Sequence, residues 1–119
     1  SEDPRSAASD DYGPLCNILN INLPSGTGWD NGYEEALVNK ALPFLMESKP
    51  DILLVAAGFD ALDADLTSKL RLQPQDFSAV ATILKEKFGN SVAFGLEGGY
   101  CWQGVELSKA IVDFAEPWR

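Results

Sequence analysis

An uninterrupted apolar segment, residues 52–57, lies between Asp51 and Gly58. Its six uncharged residues have strand character, and this pattern predicts a β-strand that is buried on both faces. Strands of this kind build parallel sheets, which bind their ligands beyond the carboxyl ends of the strands. Because Asp60 follows this strand after the turn pair Gly58-Phe59, we expect its carboxylate to lie where ligands bind.

The rest of the chain alternates between strand and helix patterns. Strand character extends over residues 16–23 and 91–96, and helix patterns cover residues 33–48, 74–88 and 103–115. The order β-α-β-α-β-α predicts an α/β fold, a parallel sheet with flanking helices. Three strands are fewer than the usual five or so, and at least one apolar sheet edge would stay exposed. The pattern therefore suggests a piece of a larger domain.

Prolines and glycines divide these elements. Pro43 is expected to kink its helix, Pro74 suits a first helical turn, and Gly89 suits a C-terminal cap. The glycine-rich residues 25–32 lack the GK[ST] ending of a phosphate-binding loop, so we interpret them as a connector. Residues 1–14 have little to bury and are expected to form a mobile lead-in to a domain over residues 15–119.

Composition narrows the class of protein. The 119 residues are 45% apolar and 23% charged, as in globular domains, and they suffice for one domain or part of one. A net charge of −9 argues against nucleic acid or an anionic membrane as a direct partner, and no segment reaches transmembrane length. Cys16 and Cys101 lack CxxC spacing, so neither a disulfide framework nor a zinc knuckle is indicated. A reducing, intracellular setting, nucleus or cytoplasm, fits two such thiols. An N-terminus without Met suggests that the chain starts inside a longer protein or after processing.

Two loops follow predicted strands at their carboxyl ends: Gly58-Phe59-Asp60 and Glu97-Gly98-Gly99-Tyr100. Taken alone, the aspartate could simply cap the next segment, and the second loop could be a tight turn with a packed ring. Together they place a carboxylate and a phenol on one edge of a sheet, a pair suited to polarising a carbonyl and stabilising an oxyanion. We therefore expect both loops to open onto one crevice.

These motifs resemble a known family. Residues 51–62, the triplet Leu70-Arg71-Leu72 and residues 96–100 look like the C-terminal part of zinc-dependent histone deacetylases, closest to the class II and acetylpolyamine amidohydrolase branch. The similarity runs from about Asn17 to Ala115. It implies the C-terminal part of a three-layer arginase/deacetylase fold and hydrolysis of amides of the N-acetyl-lysine type, with acetylated lysine or polyamine as substrate.

The resemblance also assigns roles. Asp60 takes the place of a zinc ligand, and Tyr100 that of the residue that donates a hydrogen bond to the substrate carbonyl. Gly58, Phe59, Gly98 and Gly99 form the active-site loops. The family's second aspartate ligand, its histidine ligand and its histidine pair lie upstream, and this chain contains no histidine. Asp65 keeps an acidic position in a loop that otherwise departs from the family pattern.

Three hypotheses follow. The first is the C-terminal part of a zinc deacetylase, inactive until it is joined to the missing N-terminal half of the catalytic domain. The second is a non-catalytic interaction module derived from such an enzyme. The third, a small flavodoxin-like or nucleotide-binding domain, is weakened by the missing phosphate loop.

Overall fold

A computed structural model describes residues 12–101 and 104–119. Two parallel strands, β1 (Leu53–Ala57) and β2 (Val92–Leu96), pair in register from Leu53 opposite Val92 to Ala57 opposite Leu96. Four α-helices are present in this part of the chain: α1 (Glu34–Ala36), α2 (Leu42–Ser48), α3 (Pro74–Phe88) and α4 (Val105–Ala115). The predicted α/β class with a parallel sheet and flanking helices is confirmed.

The first helical segment is irregular. It begins at Trp29, and π turns at Trp29–Tyr33 and Leu37–Ala41 flank α1. The second π turn lies directly before Pro43, whose ring would clash with the carbonyl four residues earlier in a regular α-helix. A wider turn avoids that clash. The non-helical dihedral angles lie earlier, at Asn31 and Gly32, so the expected kink is not centred on Pro43.

Helices α3 and α4 pack together and cover one face of the sheet. Helix α3 begins with Pro74 in its first turn, and Gly89 caps its end with a φ of 59°, so both end predictions are confirmed. Helix α4 begins at Val105, whereas its predicted start at residue 103 lies outside the described residues. One core cluster joins the sheet to both helices: Leu42, Leu53, Ala57, Phe59, Leu62, Leu72, Phe77, Ala81, Leu84, Ala110 and Phe114.

Two strand predictions are wrong. Residues 16–23 form no strand, because no neighbouring strand within the described chain offers them a ladder of hydrogen bonds. The other error concerns burial, since β1 and β2 are not covered on both faces. Leu54 is 74% exposed, and its partner Ala93 in β2 is also exposed, because α3 and α4 lie against only one face of the sheet.

None of the helices described is long and apolar enough to span a bilayer. Residues 1–11 lie outside the described part of the chain, so most of the expected lead-in does too. The boundary at residue 15 stays a prediction.

Candidate functional site

The two loops that the sequence singles out lie side by side. The Glu97 amide donates a hydrogen bond to the Ala57 carbonyl at 3.0 Å, and the Phe59 amide donates to the Gly98 carbonyl at 2.7 Å. These bonds continue the parallel pairing of β1 and β2 beyond the ends of both strands. The two loops thus lie side by side at the carboxyl edge of the sheet, and the crevice onto which both are expected to open stays a prediction.

Asp60 lies at the point of contact between the loops. Its half-buried carboxylate is so close to Gly98 that a Cβ atom built there would lie 2.9 Å from Oδ2. A Cβ atom on Gly58 would lie 3.0 Å from Oδ1. A side chain at Gly98 would therefore displace the carboxylate, and a side chain at Gly58 would crowd it. Within residues 12–101 and 104–119, the Asp60 carboxylate has neither a hydrogen bond nor an ion pair.

Buried neighbours fix the loop that carries Asp60. Phe59 is 1% exposed, and its ring lies 4.9 Å from that of Phe77 and 6.0 Å, edge-on, from that of Phe114. On the other side, Leu62 and Leu72 are fully buried. The Leu72 amide donates to the Ala61 carbonyl at 3.0 Å. Asp60 is thus held between two packed anchors, which restricts where its carboxylate can point.

Tyr100 follows the second loop and is 57% exposed. Gly99 precedes it with a φ of 151°, a conformation that side chains disfavour. A Cβ atom on Gly99 would also lie 2.7 Å from a methyl group of Leu107 and 3.3 Å from the Phe59 Cβ atom. The loop thus passes close to α4 and to the Asp60 loop before it presents the phenol to solvent.

Asp65 connects the two loops, a role that the sequence analysis missed. Its Oδ2 atom accepts a hydrogen bond from the Tyr100 amide at 2.6 Å. Its Oδ1 atom accepts from the Thr67 amide and hydroxyl, both at 2.7 Å, and from the Ser68 amide at 3.1 Å. An Asp two residues before a Thr is typical of a side-chain-to-backbone turn, so that part was visible in the sequence. The bond to Tyr100 was not.

Burial and hydrogen bonding act in opposite directions on Asp65. Its side chain is buried, which by itself raises the pKa of the carboxyl group. The hydrogen bonds from Thr67, Tyr100 and Ser68 together outweigh burial and lower the pKa. Burial raises the pKa of the neighbouring Cys101 thiol, and the charges of Asp65 and Glu106 raise it further. Asp65 is therefore a charged acceptor at neutral pH.

The residues present do not make a complete metal centre. Across the described ranges, no three His, Cys, Asp or Glu side chains cluster closely enough to hold a metal ion. The 119 residues contain no histidine. A catalytic zinc ion normally takes three protein ligands and a water molecule. Asp60 can supply one such ligand, so this chain does not fit a zinc ion by itself.

Sequence and structure comparisons point to one family. A family model described as the histone deacetylase domain matches residues 4–113. An uncharacterized protein of Synechocystis is 41% identical over 115 residues, covering 96% of this chain and 36% of that protein. The polyamine deacetylase HDAC10 of Homo sapiens is 34% identical over 82 residues, covering 67% of this chain and 12% of that protein.

A solved structure agrees. The crystal structure of the HDA15 HD domain superimposes with a TM-score of 0.71 at 26% identity, covering 79% of this chain and 26% of that chain. The chain therefore spans 36% or less of the length of these relatives. The family prediction and the arginase/deacetylase type of fold are confirmed. The chain belongs to the histone deacetylase family.

Proposed function

We propose that this chain supplies one side of the active site of a zinc-dependent deacetylase that hydrolyses amides of the N-acetyl-lysine type. Asp60 is one metal ligand, and histidine-bearing residues outside these 119 complete the site. The chain alone is inactive. An acetylated lysine or an acetylated polyamine is the substrate, and the compartment is the nucleus or the cytoplasm.

Tyr100 is this chain's contribution to the chemical step, as a hydrogen-bond donor to the substrate carbonyl. Hydrolysis of an amide develops negative charge on the carbonyl oxygen, and a preorganised hydroxyl donor stabilises that charge. The exposed phenol of Tyr100 stands on a backbone held by Asp65 and by the close approach of Gly99 to α4. A phenol on a fixed backbone suits a donor that must already be oriented when the charge forms.

One observation carries the proposal: the half-buried Asp60 carboxylate lies against Gly98 without a hydrogen bond or ion pair in the described chain. Because the Asp60 oxygens have no protein partner within the described residues and still reach solvent, they are free to bind a metal ion, and Asp carboxylates are common zinc ligands. Its position at the carboxyl edge of a parallel sheet is the position of a ligand-binding group. A metal completed by other residues accounts for both features.

The test uses the isolated chain and a chimera in which it replaces the matching segment of HDAC10. Both are assayed with an acetyl-lysine peptide and an N-acetylated polyamine in the presence of excess zinc. We expect turnover by the chimera only. Asp60→Asn should remove bound zinc and activity, and Tyr100→Phe should keep zinc and lower kcat by about 100-fold.

Matched controls are Asp63→Asn, an exposed carboxylate in the same loop, and Tyr12→Phe, another exposed tyrosine. Both should leave activity unchanged. Turnover by the isolated chain at the rate of the chimera would refute the requirement for outside residues. Equal activity of Tyr100→Phe and Tyr12→Phe would refute the role of Tyr100.

The uncovered face of the sheet supports a second candidate, a non-catalytic interaction module. Ile52 and Leu54 are exposed on this face, and so is Ala93, which pairs with Leu54. Apolar side chains grouped in this way are typical of surfaces that contact another polypeptide. If the chimera binds no zinc while the isolated chain still folds, this candidate gains support over the enzyme.

A further inference from the structure

We propose that Asp65 is a positioning residue for Tyr100: its carboxylate holds the backbone of Tyr100 against the loop that carries Asp60. The inference concerns the link between the two loops, and its activity test rests on the proposed function. Asp65 itself contacts neither substrate nor metal in this proposal.

The two carboxylate oxygens of Asp65 serve different loops. Oδ1 accepts three hydrogen bonds from Thr67 and Ser68, which close the turn that follows Asp65. Oδ2 accepts one, from the amide of Tyr100, which lies 35 residues further along the chain. The first set orients the carboxylate, and the remaining oxygen is thereby directed at Tyr100.

The backbone of Tyr100 is held on both sides. Its amide donates to Asp65, and its carbonyl accepts from the Leu66 amide at 3.4 Å. Asp65 and Cys101 form an isolated antiparallel bridge at the same place. Of these contacts, the bond to Asp65 is the short one and its acceptor is charged, and such bonds are about twice as strong as neutral ones.

The link matters because the two residues before Tyr100 are glycines, which have no side chains to restrict the backbone of Tyr100 itself. Gly98 and Gly99 carry no side chain that could fix the chain direction before Tyr100, and Gly99 takes a φ that few other residues adopt. Tyr100 is itself exposed, so packing does not locate its ring. A buried carboxylate anchored in the Asp60 loop supplies the missing constraint and sets the distance between the two proposed site residues.

Asp65→Asn separates this role from a general loss of structure. Its amide oxygen can still accept the three bonds of the turn, but its NH₂ group then faces the Tyr100 amide, donor against donor. Thr67→Val is the matched control, because it removes one hydroxyl donor from Oδ1 and leaves the contact of Oδ2 with Tyr100 intact.

The first measurement is amide hydrogen exchange of the 119-residue chain, resolved by NMR. We expect Asp65→Asn to accelerate exchange of the Tyr100 amide about tenfold or more, relative to the Gly89 amide at the end of α3. Thr67→Val should leave the Tyr100 amide unchanged. A wild-type Tyr100 amide without protection, or equal exchange in wild type and Asp65→Asn, would overturn the proposal.

The second measurement is turnover by the HDAC10 chimera. Asp65→Asn should lower kcat about tenfold with KM nearly unchanged, and it should add little when Tyr100 is already Phe. If Tyr100→Phe lowers kcat and Asp65→Asn does not, the positioning role is wrong and the proposed function stands. If neither changes kcat while Tyr100 exchange responds to Asp65→Asn, the link is real and the proposed function is wrong.

Discussion

Gly98→Ala tests the contact between the two loops directly. The new Cβ atom would lie 2.9 Å from Oδ2 of Asp60, 3.0 Å from its Cγ and 3.4 Å from its Cβ. Since real Cβ atoms essentially never approach a heavy atom within 3.0 Å, the carboxylate has to rotate away. Rotation about χ2 of Asp60 moves only its two oxygens and leaves Cγ too close to the new Cβ atom. The rotation about χ1 therefore has to change as well.

Gly98→Ala should affect stability and activity to different extents. A side chain driven off its preferred rotamer costs about 0.5–1.5 kcal/mol, so the free energy of unfolding of the isolated chain should fall by about 1 kcal/mol. In the chimera, a displacement of about 1 Å in a reacting group can cost about 100-fold in rate. We therefore expect a small loss of stability and a large loss of zinc affinity and kcat.

Gly95→Ala is the matched control for Gly98→Ala. Nothing lies within 4 Å of a Cβ atom at Gly95, so alanine should be neutral or stabilise β2 slightly. Both variants are compared by urea unfolding of the isolated chain and by zinc titration of the chimera. Urea unfolding is then repeated for both variants in an Asp60→Ala background. An equal loss of unfolding free energy on Gly98→Ala with and without the Asp60 carboxylate would refute the clash between them.

Three further predictions follow from packing and charge. Phe59→Ala should lower the free energy of unfolding by about 3–5 kcal/mol, because it empties a fully buried site, whereas truncation of the exposed Leu54 should change it by less than about 0.5 kcal/mol. Gly99→Ala should lower the free energy of unfolding by about 1–3 kcal/mol, and by less when Leu107 is also replaced by Ala, because its new Cβ atom meets the Leu107 methyl group. Equal losses in urea unfolding with and without Leu107→Ala would contradict that clash. Because the pKa of Asp65 is lowered on folding, its stabilising contribution should be complete above about pH 4 and be lost as the pH falls through the folded pKa. Acid unfolding of wild type and Asp65→Asn should therefore converge at low pH, and a gap that widens there would show that the sign is wrong.

Local patterns predicted most of the elements and the meeting of the two loops. The apolar run before Gly58, the helical spacing after Pro74 and the cap at Gly89 are each set by neighbouring residues, and the structure confirms them. Residues 16–23 have the composition of a strand, but a strand also needs a partner, which no local pattern supplies. The predicted burial of Leu54 was wrong for a similar reason. An apolar sequence shows which side chains a strand can bury, but it does not show which element covers them.

In the candidate site, too, the sequence identified the residues whose position depends on neighbouring residues and missed the one whose role depends on a distant contact. Asp60 and Tyr100 could be located because each directly follows a strand, and parallel strands bring their carboxyl ends to one edge. Asp65 could not, because its function depends on an amide 35 residues away. Its charge is retained in a buried place only because four donors converge on it, two from its own turn's backbone, one from a hydroxyl and one from Tyr100. Without the bond from the Tyr100 amide, the turn after Asp65 would stay intact, but the position of the Tyr100 phenol would no longer be fixed. The residues next to Asp65 could therefore reveal the turn, but they could not reveal the link between the Asp60 loop and Tyr100.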